Sequence, residues 1–410
     1  MPACDKAPIA SNPQSHFASV RPHILVGITH PQTCLTLTGR LRALREAGFR
    51  VTLVSSSGEL LDRTAAREGA ETIAIPIKRR LAPFADLRAL LCVYRLLRRI
   101  QPDVVEFSTP KAGLLGMISS WLCGVQVRIY MLRGLKLEGA AGLKRRILLA
   151  AERLASSCAH VVLCNSESLR AQALALRIAP ATKLKLLHRG SSNGVDVERF
   201  APAPKGDPSE VRERLGLPFD APVIGFVGRL TRDKGIPELV EAFDVILRKQ
   251  PEAYLLLVGW FDLAEDALGK TVQNRILSHP RILCTGFVAD TAPYYRAMDL
   301  LVLPSWREGF PNVVLEAAAT GIPVITTTTT GSRDAVVPEV TGFLIPPGYP
   351  EAISEAVLSL LTDPERRFRM GQAARAWVLE HFVDHQVLGM AVAFYKQLLV
   401  QAMARNVCLK

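Results

Sequence analysis

Residues 305–323 read Ser-Trp-Arg-Glu-Gly-Phe-Pro-Asn-Val-Val-Leu-Glu-Ala-Ala-Ala-Thr-Gly-Ile-Pro. An apolar run of strand length, 300–303, comes just before them and ends at a proline. Residues 312–320 favour a helix, which Gly321 and Pro323 would end. The stretch therefore predicts a strand, a glycine-containing loop and a helix in succession.

Two carboxylates bracket the start of this predicted helix. Glu308 precedes the helix, and Glu316 lies about one turn inside it. Backbone N–H groups at a helix start favour an anion such as phosphate, and Pro311 suits a first turn, where its missing N–H is not needed. Both carboxylates could accept hydrogen bonds from the hydroxyls of a ligand whose phosphates lie at the junction. A sugar nucleotide has this arrangement, with phosphates between a ribose and a hexose.

This pattern of two glutamates separated by seven residues resembles the signature of retaining glycosyltransferases of family 4, which have the GT-B fold. Further motifs resemble the family in its own order, over roughly residues 21 to 400. They are a diphosphate-binding loop (225–230 with 233–235), a base-binding strand end (284–288), a segment leading into the interdomain linker (190–196 with 199–200), and the pair 109–116 and 133–134. The last pair resembles the subgroup that builds capsule, O-antigen and exopolysaccharide repeat units.

Strands and helices alternate along the chain, which is typical of α/β proteins. Unbroken apolar runs predict buried parallel strands. The predicted strands are 23–28, 51–54, 71–77, 103–107, 127–132 and 160–164 in a first sheet, and 222–227, 254–258, 281–285, 300–303, 323–327 and 342–345 in a second. A helix is predicted over 35–47, a loop over 109–113 and a terminal helix over about 383–402. The resemblance implies two Rossmann-like, doubly wound parallel-sheet domains that face an interdomain cleft, with a C-terminal helix crossing back to the N-terminal domain.

The 410 residues suit two or three domains. Residues 1–20 are rich in Pro, Ser and Ala without the apolar run of a signal peptide, and are predicted to be disordered. The predicted order is then an N-terminal acceptor-binding domain (21–200), a Pro-rich linker (201–218), a C-terminal sugar-nucleotide domain (219–380) and a C-terminal helix (381–410). Uncharged stretches are too short or too proline-containing for a spanning helix, so no transmembrane segment is predicted.

The charge is unevenly distributed. Residues 1–200 hold 29 Lys+Arg against 14 Asp+Glu, a balance of +15, whereas residues 201–410 have a balance of −3. The basic clusters are Lys78–Arg80, Arg95–Arg99 and Lys144–Arg146, the second on a predicted amphipathic helix whose apolar stripe is Leu87, Leu90, Leu91, Tyr94 and Leu97. Such clusters are either ordinary solvated faces or attract an anionic lipid surface. No nucleic-acid-binding motif is present, so no nucleic-acid partner is expected.

The resemblance assigns the donor site. Arg229 and Lys234, beside Gly228, would bind the diphosphate together with the helix start, because charge develops on the leaving oxygen and needs fixed cations or dipoles. The helix-start residues are Gly309, Phe310, Pro311 and Asn312. Glu316 would bind the ribose and Glu308 the donor sugar; Glu308, Arg229 and Lys234 are the candidate catalytic residues. Phe287 would line the base, or else be a core aromatic at a strand end.

No cofactor or metal is expected, because Asp-x-Asp, the usual cation site of the other large glycosyltransferase fold, is absent. Lys111 and Arg133 follow strands of the first sheet. They either bind an anionic lipid-linked saccharide, or they form ion pairs or lie in solvated loops. Glu106 stands where many relatives carry His or another residue. The resemblance therefore implies a cytoplasmic retaining glycosyltransferase peripheral to the membrane. It would transfer a hexose or N-acetylhexosamine from a nucleoside diphosphate sugar, with a UDP-sugar favoured, to a polyprenyl-diphosphate-linked acceptor in surface polysaccharide assembly. A GT-B sugar-nucleotide 2-epimerase and a non-catalytic sugar-nucleotide-binding protein remain alternatives.

Overall fold

The computed structural model describes residues 21–78, 82–203, 210–262 and 266–408. The predicted disordered segment 1–20 and two residues of the basic cluster Lys78–Arg80 lie outside these ranges.

A seven-stranded parallel sheet forms the first half of the fold, with strand order β3-β2-β1-β4-β5-β6-β7. Its strands are β1 His23–Gly27, β2 Arg50–Ser55, β3 Glu71–Ala74, β4 Val104–Ser108, β5 Val127–Leu132, β6 Val161–Cys164 and β7 Leu184–Leu186. All residues of β1, β4 and β6 are buried, as expected for parallel strands covered on both faces. The short strand β7 was not predicted.

A six-stranded parallel sheet forms the second half, with order β10-β9-β8-β11-β12-β13. Its strands are β8 Val223–Val227, β9 Tyr254–Val258, β10 Ile282–Cys284, β11 Leu300–Leu303, β12 Val324–Thr327 and β13 Gly342–Ile345. The strand order reverses between β8 and β11, which pair through Leu300 with Ile224 and Leu301 with Gly225. Ligands of open parallel sheets bind beyond the carboxyl ends of the strands at such a reversal. The loops that carry Arg229 and Glu308 begin at this point.

The helices largely follow the predicted alternation. They are α1 Arg40–Glu46, α2 Glu59–Glu68, α3 Pro83–Ile100, α4 Pro110–Leu122, α5 Gly142–Cys158, α6 Glu167–Ala175, α7 Glu210–Arg214, α8 Ile236–Lys249, α9 Lys270–Ser278, α10 Ala292–Arg296, α11 Asn312–Thr320, α12 Pro350–Leu361, α13 Pro364–His381 and α14 Asp384–Cys408. The fold prediction of two Rossmann-like sheets with helices is confirmed.

Two local predictions in the first half were wrong. The single helix over 35–47 is a 3₁₀ helix, Pro31–Leu37, followed by α1, because Gly39 adopts a left-handed backbone (φ 76°) between them. The loop over 109–113 is instead the start of α4. Pro110 occupies its first turn, where proline is favoured.

The predicted apolar stripe of α3 is only partly buried: Leu97 is buried and Leu90 and Tyr94 are half-buried, but the other two residues are exposed. Ala89, Val93, Leu96 and Leu97 are buried, whereas Leu87 and Leu91 are 57% and 46% exposed. The helix packs against α4, where the Ser119 hydroxyl donates to the Leu90 carbonyl at 3.3 Å. Contact with α4 therefore rotates α3 away from the face that hydropathy alone favoured.

The chain divides into two compact units. The first comprises the described parts of Met1–Tyr130, Leu154–Val161 and Ala391–Lys410, and the second Met131–Arg153 and Val162–Met390. A hydrophobic core in the second unit surrounds the six-stranded sheet. The predicted domain boundaries stay predictions.

Helix α14 has one property that the sequence prediction did not anticipate. Among the described residues, its segment Asp384–Arg405 is the one helix long and apolar enough to cross a membrane. Core helices of soluble proteins pass the same test. In α14, Tyr395 and Leu399 are buried. The predicted absence of a transmembrane segment stays a prediction.

Candidate functional site

The loop after β8 brings its backbone very close to the neighbouring strand. A Cβ on Gly259, just after β9, would lie 1.7 Å from the carbonyl oxygen of Gly228, and Gly228 itself has φ 147°. Only glycines allow this approach. The next residue, Arg229, is one-quarter exposed and pairs with Asp262 (Nη1–Oδ2 2.7 Å).

Lys234 and Glu308, from different loops, form an ion pair with Nζ–Oε1 at 2.5 Å. The loops meet because Gly235 (φ 72°) has no side chain: a Cβ there would lie 2.2 Å from the Pro304 carbonyl oxygen. The Ser305 hydroxyl also donates to Glu308 Oε1, at 2.8 Å. The structure thus brings together two residues predicted to bind different parts of one ligand.

Arg307 and Asp266, which the sequence analysis did not assign to the site, extend this charged cluster. Arg307 pairs with Asp233 (3.0 Å) and with Asp266 (3.2 Å). Burial by itself would raise the pKa of Asp233. The hydrogen bond from the Thr231 hydroxyl and the cations Lys234, Arg307 and Arg229 lower it by more, so the pKa lies below its ordinary value. Asp233 is therefore ionised at neutral pH and organises the basic side chains. Pairing across gaps of 41 and 74 residues leaves no sequence signal.

The helix α11 begins where it was predicted. Pro311 is its N-cap with an extended backbone (φ −81°, ψ 104°), and Asn312 is its first residue. Phe310 is 8% exposed and packs on Phe382 with ring centroids 5.4 Å apart. Any contact from Phe310 to a ligand must therefore come from its backbone.

Glu316 lies on the first turns of α11 and is partly exposed. Its Oε2 accepts a hydrogen bond from the Tyr295 hydroxyl at 2.7 Å. Burial raises the pKa of Glu316 and outweighs the lowering by Tyr295 and by Arg199. Since Tyr295 supplies only one donor, the carboxylate can accept further hydroxyl hydrogens. Tyr295, on α10, was missed because only packing brings it to Glu316.

Phe287 follows β10 and is 48% exposed, so it is not the core aromatic considered as an alternative. Its ring meets Trp260 edge to face, with centroids 5.4 Å apart. These two aromatic side chains, nearly perpendicular to each other, form an apolar corner beside the loop that begins at Gly259.

The two acceptor-side candidates lie in different units. Lys111, on α4, pairs with Asp86 (Nζ–Oδ1 2.8 Å). In the second unit, Arg133 donates from Nη1 to the Ser192 hydroxyl at 2.8 Å. The Arg133 carbonyl oxygen abuts Gly309, where a Cβ would lie 1.8 Å away.

Glu106 occupies the core of the first unit. Its Oε2 accepts from the Arg40 guanidinium at 2.7 Å and from the Tyr395 hydroxyl. The Arg40 and Glu106 side chains are 2% and 1% exposed. Burial lowers the pKa of Arg40, but the carboxylate of Glu106 raises it more, so Arg40 stays charged. The structure therefore gives Glu106 an ion pair that ties α1, β4 and α14 together.

Among the described residues, no group of three His, Cys, Asp or Glu side chains is arranged to hold a metal ion. The six cysteines whose side chains are described are all free thiols.

Comparison with known proteins identifies the chain's relatives. A model described as glycosyl transferases group 1 matches residues 221–363, and one described as a glycosyl transferase 4-like domain matches residues 37–190. The capsular polysaccharide biosynthesis glycosyltransferase CapM of Staphylococcus aureus is 35% identical over 356 residues, covering 87% of this chain and 92% of its own.

A second relative is the UDP-Gal:α-D-GlcNAc-diphosphoundecaprenol α-1,3-galactosyltransferase of Escherichia coli, which is 30% identical over 337 residues, 79% of this chain and 84% of its own. Among solved structures, Anabaena HepE in complex with UDP and glucose superposes with a TM-score of 0.75 at 21% identity, over 91% of this chain and 99% of that one. This likeness shows the shared fold.

Proposed function

The chain belongs to the group 1 glycosyltransferases, with a glycosyl transferase 4-like domain, and on this premise we propose that it transfers a hexose or N-acetylhexosamine from a nucleoside diphosphate sugar. The proposed acceptor is a polyprenyl-diphosphate-linked saccharide in surface polysaccharide assembly. A UDP-sugar is the favoured donor. By their names, one relative acts in capsule biosynthesis and another on a diphosphoundecaprenol-linked acceptor. The observation that carries the proposal is the Lys234–Glu308 pair at the strand-order reversal, beside the start of α11.

The donor diphosphate carries about two negative charges, which three features of this site can neutralise. Lys234 has three N–H donors, so it can keep Glu308 and still donate to a phosphate oxygen. Arg229 has five, and only part of them are used by Asp262. The start of α11 adds backbone N–H groups and the positive end of the helix dipole. As the sugar leaves, these groups stabilise the charge that grows on the bridging oxygen.

The carboxylates and aromatics then divide the rest of the donor. Glu316, with spare acceptor capacity beside Tyr295, binds the ribose hydroxyls. Phe287 and Trp260 face the base, and Glu308 binds the donor sugar next to Lys234. Glu308 also stabilises positive charge at the anomeric carbon. Transfer is proposed to retain configuration by a front-face route, in which the departing phosphate helps deprotonate the acceptor hydroxyl, and to need no metal.

The test is a panel of nucleoside diphosphate sugars with purified protein and a synthetic polyprenyl-diphosphate saccharide. Release of nucleoside diphosphate that requires the acceptor, with an α-linked product by NMR and an unchanged rate in EDTA, is the expected result. Acceptor-independent release with inversion at sugar C2 would identify an epimerase, and binding without release a binding protein. A rate abolished by EDTA and restored by Mg²⁺ would overturn the metal-independent route.

The acceptor lipid implies work at a membrane surface, and α3 has a face suited to one. Phe84, Leu87 and Leu91 are 92%, 57% and 46% exposed. Four exposed arginines lie on the same side of the helix: Arg88, Arg95, Arg98 and Arg99. At ~100° per residue, the apolar residues and these arginines together span about 120° of the helix circumference. The acidic Asp86 lies on another side and pairs with Lys111. Apolar residues flanked by arginines suit the interface of an anionic bilayer.

We therefore place the enzyme peripherally on the cytoplasmic face of the membrane. Phe84→Ser with Leu87→Gln is expected to abolish cosedimentation with vesicles containing anionic lipid, because it removes the inserting side chains. Phe219→Ser serves as the control, since Phe219 is 71% exposed and lies outside this face. Equal binding by all three proteins would refute the assignment of α3.

A further inference from the structure

Tyr295 lies wholly inside the second unit, and its hydroxyl contacts a single carboxylate. The side chain is 0% exposed, and the hydroxyl donates to Glu316 Oε2 at 2.7 Å. The other oxygen of Glu316, Oε1, accepts no hydrogen bond from the described residues, and Glu316 is partly exposed. One carboxylate oxygen is thus fixed by the protein, and the other stays available to a ligand.

The ring of Tyr295 is held by the chain segment that precedes the second sheet. Phe200, itself buried, meets the ring edge to face with centroids 5.8 Å apart. Arg296, the next residue on α10, donates from Nη2 to the Arg199 carbonyl at 2.9 Å and from Nε to the Ala201 carbonyl at 3.0 Å. The hydroxyl of Tyr295 therefore cannot turn away from its partner without disrupting this packing.

An ion pair fixes the other end of α10. Arg199 pairs with Asp290 (Nη2–Oδ1 2.7 Å), and the same Asp290 oxygen accepts the Ala292 N–H at 3.2 Å. Ala292 is the first residue of α10 and Arg296 the last. The short helix that carries Tyr295 is therefore tied to the surrounding chain at both of its ends.

Charged groups on several elements act on Glu316. Burial raises the pKa of Glu316 most, and Asp290 raises it further. The hydrogen bond from Tyr295 lowers this pKa more than Arg199 does. From α13, Arg375 donates to a carbonyl near the end of α11. The Tyr295 hydroxyl is therefore the contact that most favours the ionised carboxylate.

We propose that Tyr295 is a positioning residue for the ribose site, which holds the Glu316 carboxylate in the orientation that accepts the ribose hydroxyls without itself touching the ligand. This rests on the proposed function, in which Glu316 binds the ribose. A phenol suits the task because it has one O–H to donate. Burial and the neighbouring carboxylate raise the pKa of Tyr295 well above its usual range, so it keeps that proton and always donates.

The variant Tyr295→Phe removes the hydroxyl and keeps the ring on which Phe200 packs. Its affinity for UDP should fall about tenfold, because a hydrogen bond to a charged group is lost. The pH at which affinity levels off should also move upward, since Glu316 loses the donor that lowers its pKa. Tyr294→Phe is the matched control, because the Tyr294 hydroxyl, on the same helix, accepts instead from Arg214 at 2.9 Å. Calorimetry across pH should find wild-type affinity for UDP in this control.

A UDP analogue with 2′,3′-dideoxyribose separates positioning from a general loss of structure. The wild-type protein and Tyr295→Phe should bind this analogue equally, because it has no ribose hydroxyl for Glu316 to accept. Titration of the diphosphate is common to all the proteins and leaves the comparison unchanged. If Tyr295→Phe loses the same factor on UDP and on the analogue, or binds UDP as the wild-type protein does at every pH, the positioning role is overturned.

Failure of the proposed function would give a different result. A wild-type protein that binds UDP but transfers sugar from no donor refutes the proposed transfer, while the binding comparison still decides the role of Tyr295. Sugar transfer by the wild-type protein, with no effect of Tyr295→Phe on UDP binding, refutes the positioning role alone. A wild-type protein that binds no nucleoside diphosphate at any pH refutes both.

Discussion

Removal of the Glu106 charge tests how the first unit is held together. In Glu106→Gln, the Arg40 guanidinium keeps its place in the core without a carboxylate, at 2% exposure. Breaking a buried pair in this way costs about 3–5 kcal/mol, because the remaining charge is desolvated and uncompensated. Tyr395→Phe removes two hydrogen bonds, the one that its hydroxyl donates to Glu106 and the one that it accepts from Arg40, and is expected to cost about 1.5–3 kcal/mol for each.

The assay is hydrogen exchange of peptides from α14, because it reports local opening of this part of the chain. A single unfolding midpoint would instead combine the stabilities of both compact units. Since each 1.4 kcal/mol is a factor of ten, the Glu106→Gln peptides should exchange about a hundredfold to a few thousandfold faster. Glu59→Gln is the control, because the Glu59–Arg63 pair is 77% and 62% exposed and should contribute no more than ~0.5 kcal/mol.

The double variant Arg40→Met with Glu106→Leu provides the decisive comparison. It leaves no isolated charge, so it should be less destabilised than Glu106→Gln alone. Arg40→Met and Glu106→Leu are also made singly. If their separate effects add up to that of the double variant within ~0.5 kcal/mol, the pair does not interact as the structure indicates. That result would refute the reasoning.

Two further predictions concern the donor site. Lys234→Ala should lower kcat by about a hundredfold to a thousandfold, because the leaving diphosphate loses its nearest cation. Lys270→Ala, on α9, is the control. A loss of kcat under about threefold in Lys234→Ala would contradict the assignment. The raised pKa of Glu316 makes UDP affinity pH-dependent. The ribose requires the ionised carboxylate, so affinity should rise about tenfold per pH unit up to that pKa and then level off. Calorimetry between pH 4.5 and 8 measures it, and an identical profile in Glu316→Gln would show that another group titrates.

The sequence analysis succeeded where the signal was local. The strands β5, β9, β11 and β13 and the helix α11 have the predicted bounds, because apolar runs mark buried strands and Gly321 ends the helix. It failed at Pro110, where a helix start was interpreted as a loop although proline suits either. It placed the apolar stripe of α3 only partly correctly: Leu97 is buried, whereas Leu87 and Leu91 are exposed because contact with α4 selects an overlapping stripe.

The sequence by itself determined the family resemblance, the alternation of strands and helices, and which charged residues are donor-site candidates. Each of these depends on residues within about ten positions of one another. Only the tertiary structure decided which charges meet. Lys234 pairs with Glu308, which lies 74 residues away in the sequence, and Tyr395 donates a hydrogen bond to Glu106, which lies 289 residues away. The contact of Tyr295 with Glu316 likewise emerged only from packing. Side-chain pairing at such distances follows from how the sheets and their helices pack, and no periodicity along the chain encodes it.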